Sequence, residues 1–151
     1  MNLIPPHADL LWQPALPMTN DDRVMHQQTF KEMHELNVKL NGAGIAFPQV
    51  GLGLTAFVSR YEAWPTVVNP EFRIVGSDHV SRLEGCLSMP GWHTYVRRPA
   101  KIYAEWEDVD GFRKTALLEG IEARVFQHLH DLLNGRPIFP RPKAPAKPVC
   151  V

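Results

Sequence analysis

Between Asn20 and Leu40 the apolar residues Val24, Phe30, Met33, Leu36 and Leu40 recur at roughly 3.6-residue spacing, which predicts an amphipathic helix. Thr19 or Asn20 can cap its start, and Gly42 can supply the left-handed residue that ends it. The period then changes. Thr55 to Val58, Thr66 to Asn69, Phe72 to Val75 and Tyr95 to Arg98 are short segments rich in β-branched and aromatic residues, as strands are. Lys101 to Glu107 alternates, Asp110-Gly111 has turn chemistry, and Phe112 to Leu118 alternates again, which predicts a hairpin. After Gly120, the residues Ile121, Val125, Leu129, Leu132 and Leu133 return to helical spacing as far as Asn134-Gly135. Strands gathered between two segregated helices predict an α+β domain, not alternating βαβ units, and no internal repeat is present.

Composition narrows this picture. The chain has 151 residues, 44% of them hydrophobic, enough for one core without disulfide staples. Its 14 prolines concentrate at the ends, Pro5 to Pro17 and Pro137 to Pro148, so both ends are expected to be extended. The expected organisation is one domain over residues 1–139 and a flexible, proline-rich tail over 140–151. Sixteen basic residues balance sixteen acidic ones, and without a basic stripe no nucleic acid partner is expected. No apolar run approaches the roughly 18 to 20 residues of a membrane span. No charged segment followed by an apolar one opens the sequence at Met1, and Cys86 and Cys150 lie far apart. The expectation is a cytoplasmic protein with no membrane partner.

Three segments carry candidate chemistry: GAGIAFPQVG (Gly42 to Gly51), EGCLS (Glu84 to Ser88) followed by Met89-Pro90, and QHLHDLLNG (Gln127 to Gly135). In this order and spacing they resemble the three signature motifs of the peptide deformylases, over most of the chain from about Leu10 to Phe139. The resemblance implies a peptide-deformylase-like fold, mainly antiparallel sheets with an N-terminal helix and a central motif helix. It also implies a metal-dependent hydrolase that removes formyl from N-terminal methionine. In that family a divalent iron, nickel or zinc ion is held by the cysteine of the second motif and both histidines of a His-Glu-x-x-His helix. Histidines at i and i+4 share a helix face, and three protein ligands leave a fourth position for water. The family's glutamate is the general acid/base, while its glutamine and the amide after the cysteine stabilise the oxyanion.

By this resemblance Gln49 stands at the oxyanion glutamine, Leu87 at the backbone donor, Cys86 at the cysteine ligand and His128 at the first histidine. The third motif departs: Leu129 occupies the general-base position and Leu132 that of the second histidine. His130 lies about 200° around the helix from His128 and cannot face the same metal. Asp131 lies about 60° away, but an aspartate usually stands there in the family without binding metal. Two ligands are fewer than the usual three or four, so no cofactor is expected at full occupancy, and weak metal binding is the most this set offers.

The expected function is therefore a deformylase-like protein without deformylase activity that keeps a groove for a peptide or a small acidic ligand. The alternative is a remodelled hydrolase using Cys86 and His128. Bland readings stand beside these: Cys86 as a small buried hydrophobe, His128 as a core histidine, Gln49 bonded only to its own loop. Ala43, Gly44 and Gly85 are the candidate groove residues. Arg82 and Arg124, four residues before Cys86 and His128, stand where relatives are commonly apolar, and either an acidic ligand or Glu84 and Glu122 could pair with them. Trp92 and His93 could rim the cleft. Prolines after the third motif forbid the long terminal helix with which some deformylases act at the ribosome, so ribosome association is not expected.

Overall fold

A computed structural model of the chain describes residues 1–146; Cys150 and the end of the proline-rich tail lie outside them. The fold is α+β. Helices α1 (Asn20–Met25) and α2 (Gln27–Lys39) precede seven strands: β1 (Gly44–Ala46), β2 (Ala56–Ser59), β3 (Thr66–Ile74), β4 (His79–Cys86), β5 (Met89–Pro99), β6 (Lys101–Glu107) and β7 (Arg113–Glu119). Helix α3 (Gly120–Leu133) follows, and short 3-10 turns occupy Asp9–Trp12 and Phe47–Val50. Five strands form one antiparallel sheet in the order β1-β2-β3-β6-β7, and β4 pairs with β5 as a separate hairpin.

Alternation on the central strands divides the core. Ile45, Ala56, Val58 and Val68 join Phe30, Met33 and Leu36 of α2, whereas Ala46, Phe57 and Val67 join Ala123, Phe126, Leu129, Leu132 and Leu133 of α3. A period of two along a strand sends neighbours to opposite faces, so one sheet separates two helices. Phe126 is the hub on the α3 side, with its ring 5.3 Å from both Phe57 and Trp64.

The structure corrects the sequence reading locally. The single helix expected from Asn20 to Leu40 is two helices that meet at His26, where φ is −95° and ψ 14°. Thr19 and Asp22 close a capping box on α1. The break leaves Val24 exposed, while Phe30, Met33 and Leu36 stay inside. The left-handed residue after α2 is Asn41 (φ 51°), not Gly42. Gly42 is small for another reason: a Cβ there would meet Asn37 Oδ1 and lie 2.7 Å from a Leu87 methyl. The strands expected at Thr66 to Asn69 and Phe72 to Val75 are one strand interrupted by a bulge, with Asn69 at φ 49°. The Asn69 amide holds that bend, donating to Met18 O and accepting from Met18 N. Tyr95 to Arg98 extends into the much longer β5, and β1 and β4 were not expected at all. Ile121 is exposed, so it leaves the apolar stripe of α3.

Truncating Phe126 to Ala should cost about 3–5 kcal/mol, because four aromatic neighbours lose a shared partner. Urea unfolding followed by tryptophan fluorescence measures it.

Candidate functional site

The three motifs converge on one cavity of about 610 Å³. Its walls come from the segment entering β1 (Gly42, Ala43, Gly44), the end of β4 with its turn (Glu84 to Leu87), and one face of α3 (Arg124, Val125, His128, Leu129). β1 is an edge strand of the large sheet, and β4 belongs to the separate hairpin. The cavity thus runs between two sheets, floored by a helix.

Gln49 is held rigidly. It sits in the Phe47–Val50 turn, 1% exposed, and its Oε1 accepts from Ala46 N at 2.8 Å. Its Nε2 faces the second motif, donating to Ser88 Oγ at 3.0 Å with Cys86 Sγ 3.6 Å away. Cys86 is nearly buried, at the point where β4 turns tightly and pairs with Met89. Leu87, in that turn, lines the cavity.

Among the described residues, the site's charged groups gather on one carboxylate. Glu84 is buried and takes two hydrogen bonds from Arg98, Nε to Oε2 at 2.7 Å and Nη2 to Oε1 at 2.9 Å. Arg124 reaches it from α3 and also donates to the carbonyls of Val96 and Val80. Arg98 continues to Asp131 Oδ2 at 2.8 Å. His128 Nδ1 lies 3.4 Å from Glu84 Oε1, buried and without a hydrogen bond of proper angle. Burial would raise the Glu84 pKa, but the His128 imidazole beside it, the hydrogen bonds from Arg98 and Arg124 and the charge of Arg98 bring it down to about 2. Burial would lower the His128 pKa, yet interaction with the Cys86 and Glu84 side chains carries it up to about 9.

The departures in the third motif have definite places. Leu129 is 1% exposed and lines the cavity, and its Cδ1 would lie only 2.6 Å from a Cβ on Gly44. Leu132 is fully buried in the core and does not reach the cavity. His130 points away, its ring edge-on to Phe72 at 5.0 Å. Asp131 is committed to Arg98. Among the described residues no group of three or more His, Cys, Asp or Glu side chains could hold a metal ion. The donor set, Cys86 with His128 and a leucine in the third place, does not fit the three-ligand ion of the resemblance.

The groove residues Ala43, Gly44 and Gly85 line the cavity, as do Trp92 and His93. A Cβ on Gly85 would lie 2.9 Å from the His93 ring, so this glycine makes room for that imidazole. The two arginines separate. Arg124 borders the cavity but is bound to Glu84, whereas Arg82 is exposed and borders a crevice of about 70 Å³ outside it. Sequence reasoning missed Arg98 and Ser88 as site residues. The spacing Arg124, His128, Asp131 was the available signal, since i, i+4 and i+7 share a helix face and all three meet the Glu84–Arg98 pair.

Two outcomes follow from this charge cluster. Replacing Arg124 by Leu should cost about 3–5 kcal/mol by chemical denaturation, because a buried carboxylate loses a partner and two carbonyls lose a donor. Glu84 titrates at about 2 in the fold against an ordinary value of 4.5, so its contribution is full above 4.5 and disappears as pH falls through about 2. Stability measured across that window should fall less steeply in Glu84→Gln than in the parent.

Comparison with known proteins completes the site. The family model for polypeptide deformylase matches residues 2–147. The peptide deformylase of Desulfosudis oleivorans is 36% identical over 140 residues, covering 89% of this chain and 80% of its own, and that of Dictyoglomus thermophilum is 38% identical over 122 residues, covering 80% and 78%. The crystal structure of the Thermotoga maritima peptide deformylase superposes with a TM-score of 0.84 at 33% identity, covering 91% of this chain and 93% of that one. A Vibrio parahaemolyticus bacteriophage deformylase, solved with actinonin, superposes equally well at 29% identity, covering 91% and 100%. With the motifs brought together around one cavity and the family matched over nearly its whole length, the chain belongs to the polypeptide deformylase family.

Proposed function

We propose that this chain has kept the deformylase fold and given up deformylation, and that its cavity serves as a binding groove for an extended peptide. The observation that carries the reading is the state of α3: the positions of the general base and the third ligand are leucines, both buried in the packed face of the helix. An aliphatic side chain neither moves a proton nor binds an ion. The glycine-lined edge at Ala43 and Gly44 shares the cavity with Gly85, which suits strand-like pairing with a peptide backbone. With Glu84 and Arg124 satisfying each other, a neutral peptide suits the groove better than a small acid. Zero net charge and the absence, among the described residues, of any helix long and apolar enough to cross a membrane support a cytoplasmic setting without nucleic acid.

A second reading keeps hydrolysis, as a remodelled hydrolase using Cys86 and His128. The specific observation in its favour is the Gln49 amide 3.6 Å from the Cys86 sulfur, in the cavity that His128 also lines.

Formyl-methionyl peptide turnover tests the leading reading. Loss of a general acid/base alone costs typically 10²–10⁴-fold, so wild-type protein should release no measurable formate. Elemental analysis should find iron, nickel and zinc well below stoichiometry after dialysis. The paired change Leu129→Glu with Leu132→His should raise metal content first and turnover second. Ordinary deformylase rates, or one equivalent of tightly held metal in the parent protein, would overturn the proposal.

A further inference from the structure

We infer that the edge strand β7 pairs antiparallel with β7 of a second copy of this chain, joining two five-stranded sheets across a two-fold axis. β7 ends the sheet order β1-β2-β3-β6-β7, with β6 on one side of it. Its register against β6 is regular, from Lys101 beside Glu119 to Glu107 beside Arg113. Just past the two ends, Asp108 N donates to Phe112 O and Gly120 N donates to Ala100 O. Antiparallel pairs alternate between hydrogen-bonded and non-bonded, so the even-numbered residues of β7 bond to β6. Arg113, Thr115, Leu117 and Glu119 therefore turn their N–H and C=O groups to the open edge. Among the described residues no other strand or loop pairs with them. Such an edge is a template for a further strand.

The order of charges along β7 chooses the partner. The strand reads Arg-Lys-Thr-Ala-Leu-Leu-Glu, basic at one end and acidic at the other. Turned antiparallel about Ala116 it complements itself: Arg113 comes opposite Glu119 of the second copy, Thr115 opposite Leu117, and Ala116 opposite Ala116. A slip of two residues would put Arg113 opposite Leu117 or Ile121 and lose both charged pairs. β6 extends the pattern, because Glu119 stands beside Lys101, with Nζ 3.4 Å from Oε2, and Arg113 stands beside Glu107 and pairs with Glu105. The row Glu107, Arg113, then Glu119 and Lys101 of the second copy thus alternates in sign across four strands, and the two-fold repeats it. Opposite charges facing one another across strands favour pairing, and like charges oppose it. The Arg113 and Glu119 side chains are 65% and 72% exposed, so each has room for a second partner.

Exposed apolar side chains border the same edge. Leu117 in the strand and Phe112 just before it both lie open to solvent. In the register about Ala116, Leu117 meets the Thr115 methyl of the second copy, and Phe112 comes opposite Gly120 at the start of its α3. A Cβ built on Gly120 meets no atom within 4 Å, which leaves space there for the ring. A lysine on an edge strand commonly blocks pairing, but Lys114 Nζ lies 3.8 Å from Asp108 of its own hairpin. No residue of β7 lines the cavity, so substitutions on this strand leave the site's own side chains in place.

Sedimentation of the full chain over a wide concentration range tests the pairing. The parent protein should pass from monomer to dimer as concentration rises, and less readily at high salt. Arg113→Glu brings acidic residues face to face at both ends of the interface, and Glu119→Arg brings basic ones together. Each variant alone should dimerise about tenfold or more weakly. Mixed, the two variants complement each other at both ends, and a heterodimer should form with affinity near that of the parent. Thermal unfolding checks that each variant folds. If either does not, Ala116→Cys takes its place: non-bonded antiparallel pairs hold their Cα atoms about 4.5 Å apart, within disulfide reach, so mild oxidation should give a 116-to-116 link identified by peptide mapping. A parent chain that stays monomeric overturns the inference. So do variants that dimerise as the parent does, a mixture that associates no better than either variant alone, or oxidation without the 116-to-116 link.

Discussion

The buried Glu84 carboxylate is the constraint on which the rest of the site depends. It lies at the end of β4, and its hydrogen bonds run to Arg98 on β5 and Arg124 on α3, with His128 alongside. A charge removed from water is tolerated only when its hydrogen-bonding capacity is filled, and here two guanidinium groups fill it. The consequence is geometric. The β4–β5 hairpin shares no strand with the five-stranded sheet, so this cluster, continued by Arg98 to Asp131, is a principal tie between the hairpin and α3. Where the hairpin sits decides where Cys86 sits.

The second constraint is the apolar packing of α3. Ala123, Phe126, Leu129, Leu132 and Leu133 press on the sheet, while Arg124, Val125 and His128 turn toward the cavity. The helix therefore has one face for the core and one for the site. Leu129 belongs to both, since it packs in the core and its methyl group closes against Gly44 at the cavity wall. Leucines at positions that a hydrolytic metal centre would need polar thus leave the fold intact, because the helix buries apolar surface there in any case.

Gln49 links the two constraints. Its carbonyl is spent on the Ala46 amide at the end of β1, and its amide reaches Ser88 and Cys86 on the other side of the cavity. The large sheet and the hairpin are joined across the site by one side chain. Any chemistry at Cys86 takes place in surroundings already set by that bond and by the carboxylate behind His128.

Much was legible in the chain itself. Periods of 3.6 and two residues located α2, α3 and the β6–β7 hairpin, because each of these elements buries one face and patterning records burial directly. The α+β class followed from their order, and the three motifs singled out Gln49, Cys86 and His128, which line one cavity. β4 left no such record: it lies on a hairpin with mostly exposed residues, so no alternation marked it. The bulge at Asn69 was likewise hidden, since it depends on a partner distant in sequence, Met18. The sequence also left open whether Arg124 faced a ligand or a glutamate. Only the tertiary structure decided that, by bringing Glu84 within reach across forty residues of chain and burying both charges together, where each needed the other.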